Sequence, residues 1–333
     1  MTSHWWMHIP KALVVRKTSG SSARLRRLGA VISVAITAMT IFVLWHALQD
    51  VHYNEVTAAI GRTSRYLVGL AAGLVAVSYG SLTLYDLLAL RRIGRDDVPY
   101  QIAALASFTS YPIAHGFGAV AFIAPIIRYR IYSPSGLSVF DVANISFLTG
   151  LTFWLGNLTA LGVSLFCEPS AIGLIDYLPP QLNRMVATAL LLGVLAFLIW
   201  TWVLPRSFGT RRWPVRLPSG PVVLLQITVG VFDLGAAAVA MYVLLPSDMN
   251  VGLFRLIAVF IAATLLGFVS HSPAGLGVFD AAILIGLDGE DREGLVAALL
   301  MFRFLYHLLP FVLALGLFGG VEAWRSARST HHK

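Results

Sequence analysis

The sequence predicts an all-α, polytopic integral membrane protein with about six full spans and two opposed re-entrant helical hairpins, about eight membrane segments in all. Three observations lead there. Hydrophobic residues fill 57% of the 333 positions and charged residues only 12%, whereas soluble domains carry about 25% charged. Apolar runs of span length recur along the chain, a helix needing about 20 such residues to cross a bilayer. Two further runs break internally at proline and glycine, and a break at membrane depth is tolerated only where protein or a water-filled cavity covers the freed backbone.

The elements follow in order. Residues 1–27 form a basic segment with Lys11, Arg16, Lys17, Arg24, Arg26 and Arg27. The run after it has full-span length and no small-residue cleavage site, so it is expected to stay as a first span rather than leave as a signal peptide. Full spans are placed near 28–48, 66–90, 139–166, 184–204, 220–245 and 294–321, within one transmembrane domain over 28–324 followed by a tail, 325–333. An amphipathic piece, Tyr53 to Arg65, is expected to rest at the interface. The segment 98–127 is interrupted by Pro112, Gly116 and Gly118. Its second limb offers about a dozen residues, roughly 18 Å of helix, short of a ~30 Å hydrocarbon core. The segment 253–287 is interrupted at Pro273, Gly275 and Gly277.

Loop charges test the hairpin reading, because short cytoplasmic loops carry the Lys and Arg. With the N-terminus inside, Arg91, Arg92 and Arg95 fall inside, as do Arg206, Arg211, Arg212 and Arg216. The acidic loops with Glu168 and Asp176, with Asp248, and with Asp288, Glu290, Asp291 and Glu293 fall outside. Arg128 and Arg130, and later Arg325, Arg328 and Lys333, fall inside only if both interrupted segments return to the face they came from. Both termini are then cytoplasmic, and the hairpins enter from opposite faces, as in an inverted-topology repeat.

The same bookkeeping reads the net charge of +8 as orientation rather than nucleic-acid binding. A lone Cys167 excludes an intrachain disulfide and a thiolate metal cluster. No Gly-x-x-x-x-Gly-Lys-[Ser/Thr] occurs, so any energy source is an ion gradient or none. No cofactor is expected, and without HExxH-type spacing no metal site either.

Ionisable groups inside spans are candidates for function, since burying them costs several kcal/mol unless they are paired or hydrated. The set comprises Asp86, His115, Arg128, Arg130, Asp141, Asp233, His271, Asp280, Arg303 and His307. Asp233 lies mid-span, beyond snorkelling reach, and is either neutralised by protonation or pairing or used in transport. Arg303 has Tyr306 and His307 on its own face, three and four residues on, and either lines a site or pairs with Asp233 or Asp280. His271 and Asp280 flank the second break, where helix N-termini would favour an anion; a structural histidine is the alternative. In Arg128-Tyr129-Arg130-Ile131-Tyr132, guanidinium groups with interleaved tyrosines suit a lipid phosphate, the alternative being positive-inside anchoring. Asp86 is placed to pair with one of those arginines.

Several stretches resemble the lysylphosphatidylglycerol synthase transmembrane family. They are Tyr85-Asp86 with Ala89-Leu90 and Ile93-Gly94; Arg128 to Tyr132 followed by Gly136-Leu137; and Leu151-Thr152-Phe153-Trp154-Leu155-Gly156. In the second half Ser270-His271-x-Pro273-x-Gly275-Leu276-Gly277-x-Phe279-Asp280 and Arg303-x-x-Tyr306-x-x-x-Pro310 are similar to the same family. Ala274 stands where that pattern has a second glycine, and Asp280 where it has a glutamate.

The family includes the flippase half of the multiple peptide resistance factor, which moves aminoacylated phosphatidylglycerol between leaflets of the bacterial inner membrane. The resemblance therefore implies a phospholipid flippase in that membrane. The soluble aminoacyltransferase domain is not matched, so synthase activity is not expected. Substrate contacts are expected at Asp86, Arg128, Arg130, Asp233, His271, Asp280, Arg303 and His307. The arginines would hold phosphate, and the aspartates would hold arginine or a headgroup amine. The expected partner is an anionic or aminoacylated phospholipid within the bilayer, with a separately encoded lipid synthase and a homo-oligomer left open. Two other readings stand beside this one: a membrane-embedded enzyme acting on lipid headgroups, and the membrane partner of such a synthase.

Overall fold

The computed structural model of the protein describes residues 53–203, 207–210, 213–216, 218–287 and 291–330. The basic segment 1–27, the expected span 28–48, and Arg206, Arg211, Arg212, Asp288, Glu290 and Lys333 lie outside the described residues.

The amphipathic piece is helix α1, Tyr53–Arg62. Next, α2 (Arg65–Arg92) starts where the Ser64 hydroxyl accepts the Tyr66 N–H and ends on Arg91 and Arg92, cations suited to a helix C-terminus. Along it Ala71, Val75, Ser78, Leu82, Tyr85 and Ala89 are buried at alternating spacings of four and three, the stripe that faces neighbouring helices. Then come α3 (Tyr100–Gly116) and α4 (Val120–Tyr132), followed by α5 (Val139–Cys167). A Ser138/Asp141 capping box opens α5, so Asp141 serves as a helix cap. Helix α6 (Pro180–Val203) fully buries little beyond Asn183, Ala187 and Thr201, and turns Leu182, Val186, Leu192, Leu195 and Val203 outward. A short antiparallel hairpin of β1 (Ser207–Thr210) and β2 (Trp213–Arg216) joins it to α7 (Gly220–Tyr242); the sequence reading had only a basic loop there.

Five described helices are long and apolar enough to cross a membrane: Arg65–Arg92, Val139–Cys167, Pro180–Val203, Gly220–Tyr242 and Arg292–Trp324. They coincide with five of the expected spans to within a few residues at each end, and the all-α membrane class is borne out. Helices α5 and α7 cross backbone to backbone. A Cβ added at Gly156 would lie 2.6 Å from the Gly230 carbonyl carbon, and one at Gly230 would lie 2.8 Å from Thr152 O. Small residues at such a crossing let two helices pack where apolar burial alone gives no drive to associate.

Each interrupted segment is a hairpin of two packed short helices. In the first, α3 and α4 are joined by Phe117, Gly118 and Ala119, with Gly118 at φ +68°. Pro112 does not break the chain: α3 runs on through it and ends at Gly116, so of the three expected break residues only Gly118 lies in the turn itself. In the second, α8 (Leu253–Val269) leads through a 3₁₀ turn, Pro273–Gly275, into α9 (Val278–Gly286). Gly267 against Gly275 near the tip and Val259 against Gly286 near the base show the limbs running antiparallel. The Arg255 guanidinium closes the base by donating to Gly286 O at 3.1 Å.

The chain ends in α10 (Arg292–Arg303), a π-helical turn Phe304–Leu308, and α11 (Leu309–Thr330). The sequence reading had one plain span here. A π turn just before Pro310, which lacks an N–H, fits the pattern of helix bulges that gather at functional sites.

The two tips meet. A Cβ on Gly118 would lie 2.4 Å from His271 O and 2.9 Å from Pro273 N. Gly136 has a similar φ, +79°, but open space around it. Gly118→Ala is therefore expected to lower the melting temperature of the purified protein more than Gly136→Ala, because backbone overlap adds to a left-handed penalty of about 1–2 kcal/mol. Equal shifts in a thermal melt would show that the tip contact carries no stability.

Candidate functional site

Helices α2, α4, α7, α9 and α10 each bring one ionisable residue of the sequence reading into the interior. Asp86 on α2 is fully buried and receives three donors: Arg128 Nη2 at 2.8 Å, Arg128 Nε at 3.0 Å and the Tyr132 hydroxyl at 2.8 Å. Arg128 and Tyr132 stand four residues apart on α4, one turn on one face, so both reach the same carboxylate. A planar guanidinium suits a carboxylate edge to edge. The bond spends Nε and Nη2 and leaves Nη1 as the nitrogen not used by Asp86.

The second pair is Asp280 of α9 with Arg303 of α10. Arg303 Nη2 donates to Asp280 Oδ2 at 2.7 Å, its Nε bonds Oδ1, and Asp280 also accepts the Gly277 N–H at 2.8 Å. Arg303 reaches further, to the carbonyls of Ala274 at 3.2 Å and Gly275 at 3.4 Å, and its head lies 5.5 Å from the Phe279 ring centre. All three of its nitrogens are thus engaged on the second hairpin tip. There His271, Ala274, Gly275 and Gly277 all have positive φ. Ala274 at φ +51° sits in a region that costs a non-glycine residue about 1–2 kcal/mol. Such conformations persist where the surroundings over-determine them.

Asp233 of α7 is solved differently. It is 3% exposed and accepts hydrogen bonds from Ser78 Oγ at 2.5 Å and the Tyr85 hydroxyl at 2.9 Å, and it joins no salt bridge among the described residues. Ser78 also shares a 3.4 Å hydrogen bond with the Tyr306 hydroxyl, and Tyr79 donates to Tyr306 O at 2.9 Å. The carboxylate is thereby tied to the π turn that follows Arg303.

Two cavities of about 340 Å³ lie on either side of α3. The first is bounded by α2 to α5 and has Arg128 in its wall, with Phe147 and Trp154 on its flank. The second is bounded by α3, the second tip and the π turn, and is lined by Arg303, Tyr306, His307 and Phe311 among others. A pocket of about 30 Å³ holding Asp233, Thr264, Tyr306 and His307 sits at the centre. Tyr111 and His115 line all three. The rings of His115 and His307 are 6.2 Å apart, and the buried Nδ1 of each has no hydrogen-bond partner among the described residues. Among the described residues no group of three His, Cys, Asp or Glu could hold a metal ion.

The structure places Arg128, Asp233, Arg303 and His307 in the walls of these cavities, with Asp86 and Asp280 as the partners of the two arginines. It does not bring in Arg130, which is exposed and pairs with Glu322 of α11, nor the His271 side chain, which faces outward at the tip. His271 contributes backbone instead, its carbonyl facing Gly118. Sequence reasoning passed over Ser78, Tyr79, Tyr85 and Tyr111 as site residues. The buried α2 stripe could have flagged the first three, since polar groups within an apolar helix need partners.

If the Asp86–Arg128 pair is the unit it looks, Arg128→Met alone strands a buried carboxylate, at a cost of about 3–5 kcal/mol. The double variant Asp86→Asn/Arg128→Met is expected to unfold closer to the wild type than Arg128→Met does. A double-mutant cycle on the detergent-solubilised protein measures this, and additive costs would deny the coupling.

No protein-family model matches this chain. It is 26% identical over 305 residues to an uncharacterized protein, slr0712, of Synechocystis, covering 91% of this chain and 94% of that protein. It is 29% identical over 274 residues to the inner membrane protein YbhN of Escherichia coli, covering 80% and 84%. It is 28% identical over 302 residues to a phosphatidylglycerol lysyltransferase of Staphylococcus haemolyticus, covering 86% of this chain but 32% of that protein. The chain thus spans about a third of the length of the lysyltransferases it matches. The resemblance read from its motifs is borne out: the protein is a homologue of YbhN and, over that third of their length, of the phosphatidylglycerol lysyltransferases.

Proposed function

We propose that this membrane protein moves an anionic phospholipid between leaflets, the headgroup passing through the cavities that flank the first hairpin while the acyl chains trail into the bilayer. The observation that carries the reading is Arg128. It sits in the wall of a mostly apolar cavity of about 340 Å³, held by Asp86 through two of its nitrogens and left with Nη1 for a ligand oxygen. Ligand pockets of this size, apolar with a few placed polar groups, suit an amphiphile's headgroup and first carbons. Arg303 supports the path rather than the phosphate, since its donors hold the second tip. The loop charges support re-entrant hairpins that enter from opposite faces, with both termini cytoplasmic. A lysyltransferase relative named for phosphatidylglycerol supports that lipid, free or aminoacylated, as the substrate class.

Reconstitution tests this. Proteoliposomes carrying fluorescent phosphatidylglycerol are expected to lose the dithionite-protected fraction faster than protein-free vesicles, with Arg128→Gln slowed about tenfold or more, the worth of one charged hydrogen bond. Arg128→Lys keeps the charge and is expected to fall between. No difference from protein-free vesicles would sink the reading.

The similarity to a phosphatidylglycerol lysyltransferase supports a second reading, the membrane partner of a separate lipid synthase. A stable complex with such an enzyme, without lipid movement by the chain itself, would favour it.

A further inference from the structure

Of the three deeply buried carboxylates among the described residues, Asp86 and Asp280 each pair with an arginine, and Asp233 joins no salt bridge there. An ionised carboxylate in such surroundings is costly unless a cation or proton accompanies it. Asp233 also borders the small central pocket, which lies between the two larger cavities and shares Tyr111 and His115 with both. A volume of about 30 Å³ has room for a water molecule and little more. The residues with polar side chains that line it besides Asp233 are Thr264, Tyr111, Tyr306, His115 and His307. Among the described residues no group of three His, Cys, Asp or Glu that could hold a metal ion is assembled there. Proton acceptors are: the carboxylate, and two histidines whose buried Nδ1 atoms lack partners among the described residues.

We propose that Asp233 is a proton-binding site that couples a proton gradient to movement of the anionic amphiphile, with His115 and His307 as the groups through which the proton arrives and leaves. This rests on the translocation reading above. In each cycle one proton adds to an Asp233 carboxylate oxygen, giving the neutral acid, and the same proton leaves as the carboxylate re-forms. No other bond is made or broken. Carrying one proton with one anionic headgroup makes the step electroneutral.

The titratable and charged groups facing Asp233 are named by the packing. They are Tyr79 and Tyr85 from α2, Tyr111 and His115 from α3, and Tyr306 and His307 from the π turn. Helix α5 contributes Phe153 and α8 contributes Phe260, Thr264 and Gly267 to the pocket, none of them titratable, and the adjacent Arg303 is bound to Asp280. The Ser78–Tyr306 bond gives the mechanical link. Protonation of Asp233 changes what Ser78 and Tyr85 donate to, and Ser78 is joined to the turn that positions Arg303 on the second tip.

Two measurements on the full chain decide this. In nanodiscs, infrared titration is expected to show a carboxyl C=O band that comes and goes with pH, vanishes in Asp233→Asn, and persists in the exposed control Asp97→Asn. In proteoliposomes with the membrane potential clamped, one-to-one coupling shifts the leaflet ratio of trace fluorescent phosphatidylglycerol about tenfold per pH unit imposed. Asp233→Asn is expected to abolish that shift. A band that survives Asp233→Asn, the absence of any such band, a leaflet ratio indifferent to the gradient, or a ratio that follows sodium instead would each overturn the proposal. If the wild type moves no lipid at all, the translocation reading fails, and the infrared titration decides the proton site by itself. The thermal melt of Asp233→Asn, an isosteric change, shows that the variant is folded.

Discussion

Breaking a helix inside an apolar layer exposes backbone N–H and C=O groups that hydrocarbon cannot satisfy, and the arrangement of this protein depends on how those groups are covered. At the second tip one arginine does much of it. Arg303 spans the carbonyls of Ala274 and Gly275 and the carboxylate of Asp280, while Asp280 takes the Gly277 N–H. At the first tip Gly118 has no side chain, which lets the backbone of His271 to Pro273 lie against it. Each tip is therefore the other's lid. That mutual cover places two short hairpins end to end and leaves space on either side of α3.

The three buried carboxylates then divide the labour. Asp86 holds Arg128 through Nε and Nη2 and leaves Nη1 unused by the pair. Asp280 holds Arg303 with every nitrogen engaged, which suits a latch. Asp233 has only hydroxyl donors and a tie through Ser78 to the π turn. Buried pairs are poor sources of net stability, because desolvation offsets much of the attraction, so their retention in the interior points to placement and switching. Asp233 borders the small pocket that shares Tyr111 and His115 with the cavity walled by Arg128 and with the one lined by Arg303.

Much of the fold was legible. Span-length apolar runs identified five of the observed long helices, and the Pro-x-Gly-x-Gly and Gly-x-Gly stretches marked the tips. Pro112 misled, because an apolar helix packed against neighbours can run through a proline. The π turn at Phe304–Leu308 was not legible either. Apolar periodicity cannot register one extra residue in a turn, although Pro310 sits where such a turn would help. The β-hairpin after α6 was hidden by a short basic stretch that reads as any loop.

Composition, period and loop charge determined by themselves that this chain lies in a membrane, where its helices run and where two of them break. They also supplied the set of ionisable residues from which the interior is built. Only the tertiary structure decided which of these are partners. Asp86 meets Arg128 across 42 residues, Arg303 meets Asp280 across 23, and Ser78 meets Asp233 across 155. No local pattern encodes such distances. Hydrogen bonds fall off within a few tenths of an ångström, so whether a buried charge has a partner is a property of helix packing and not of residue spacing.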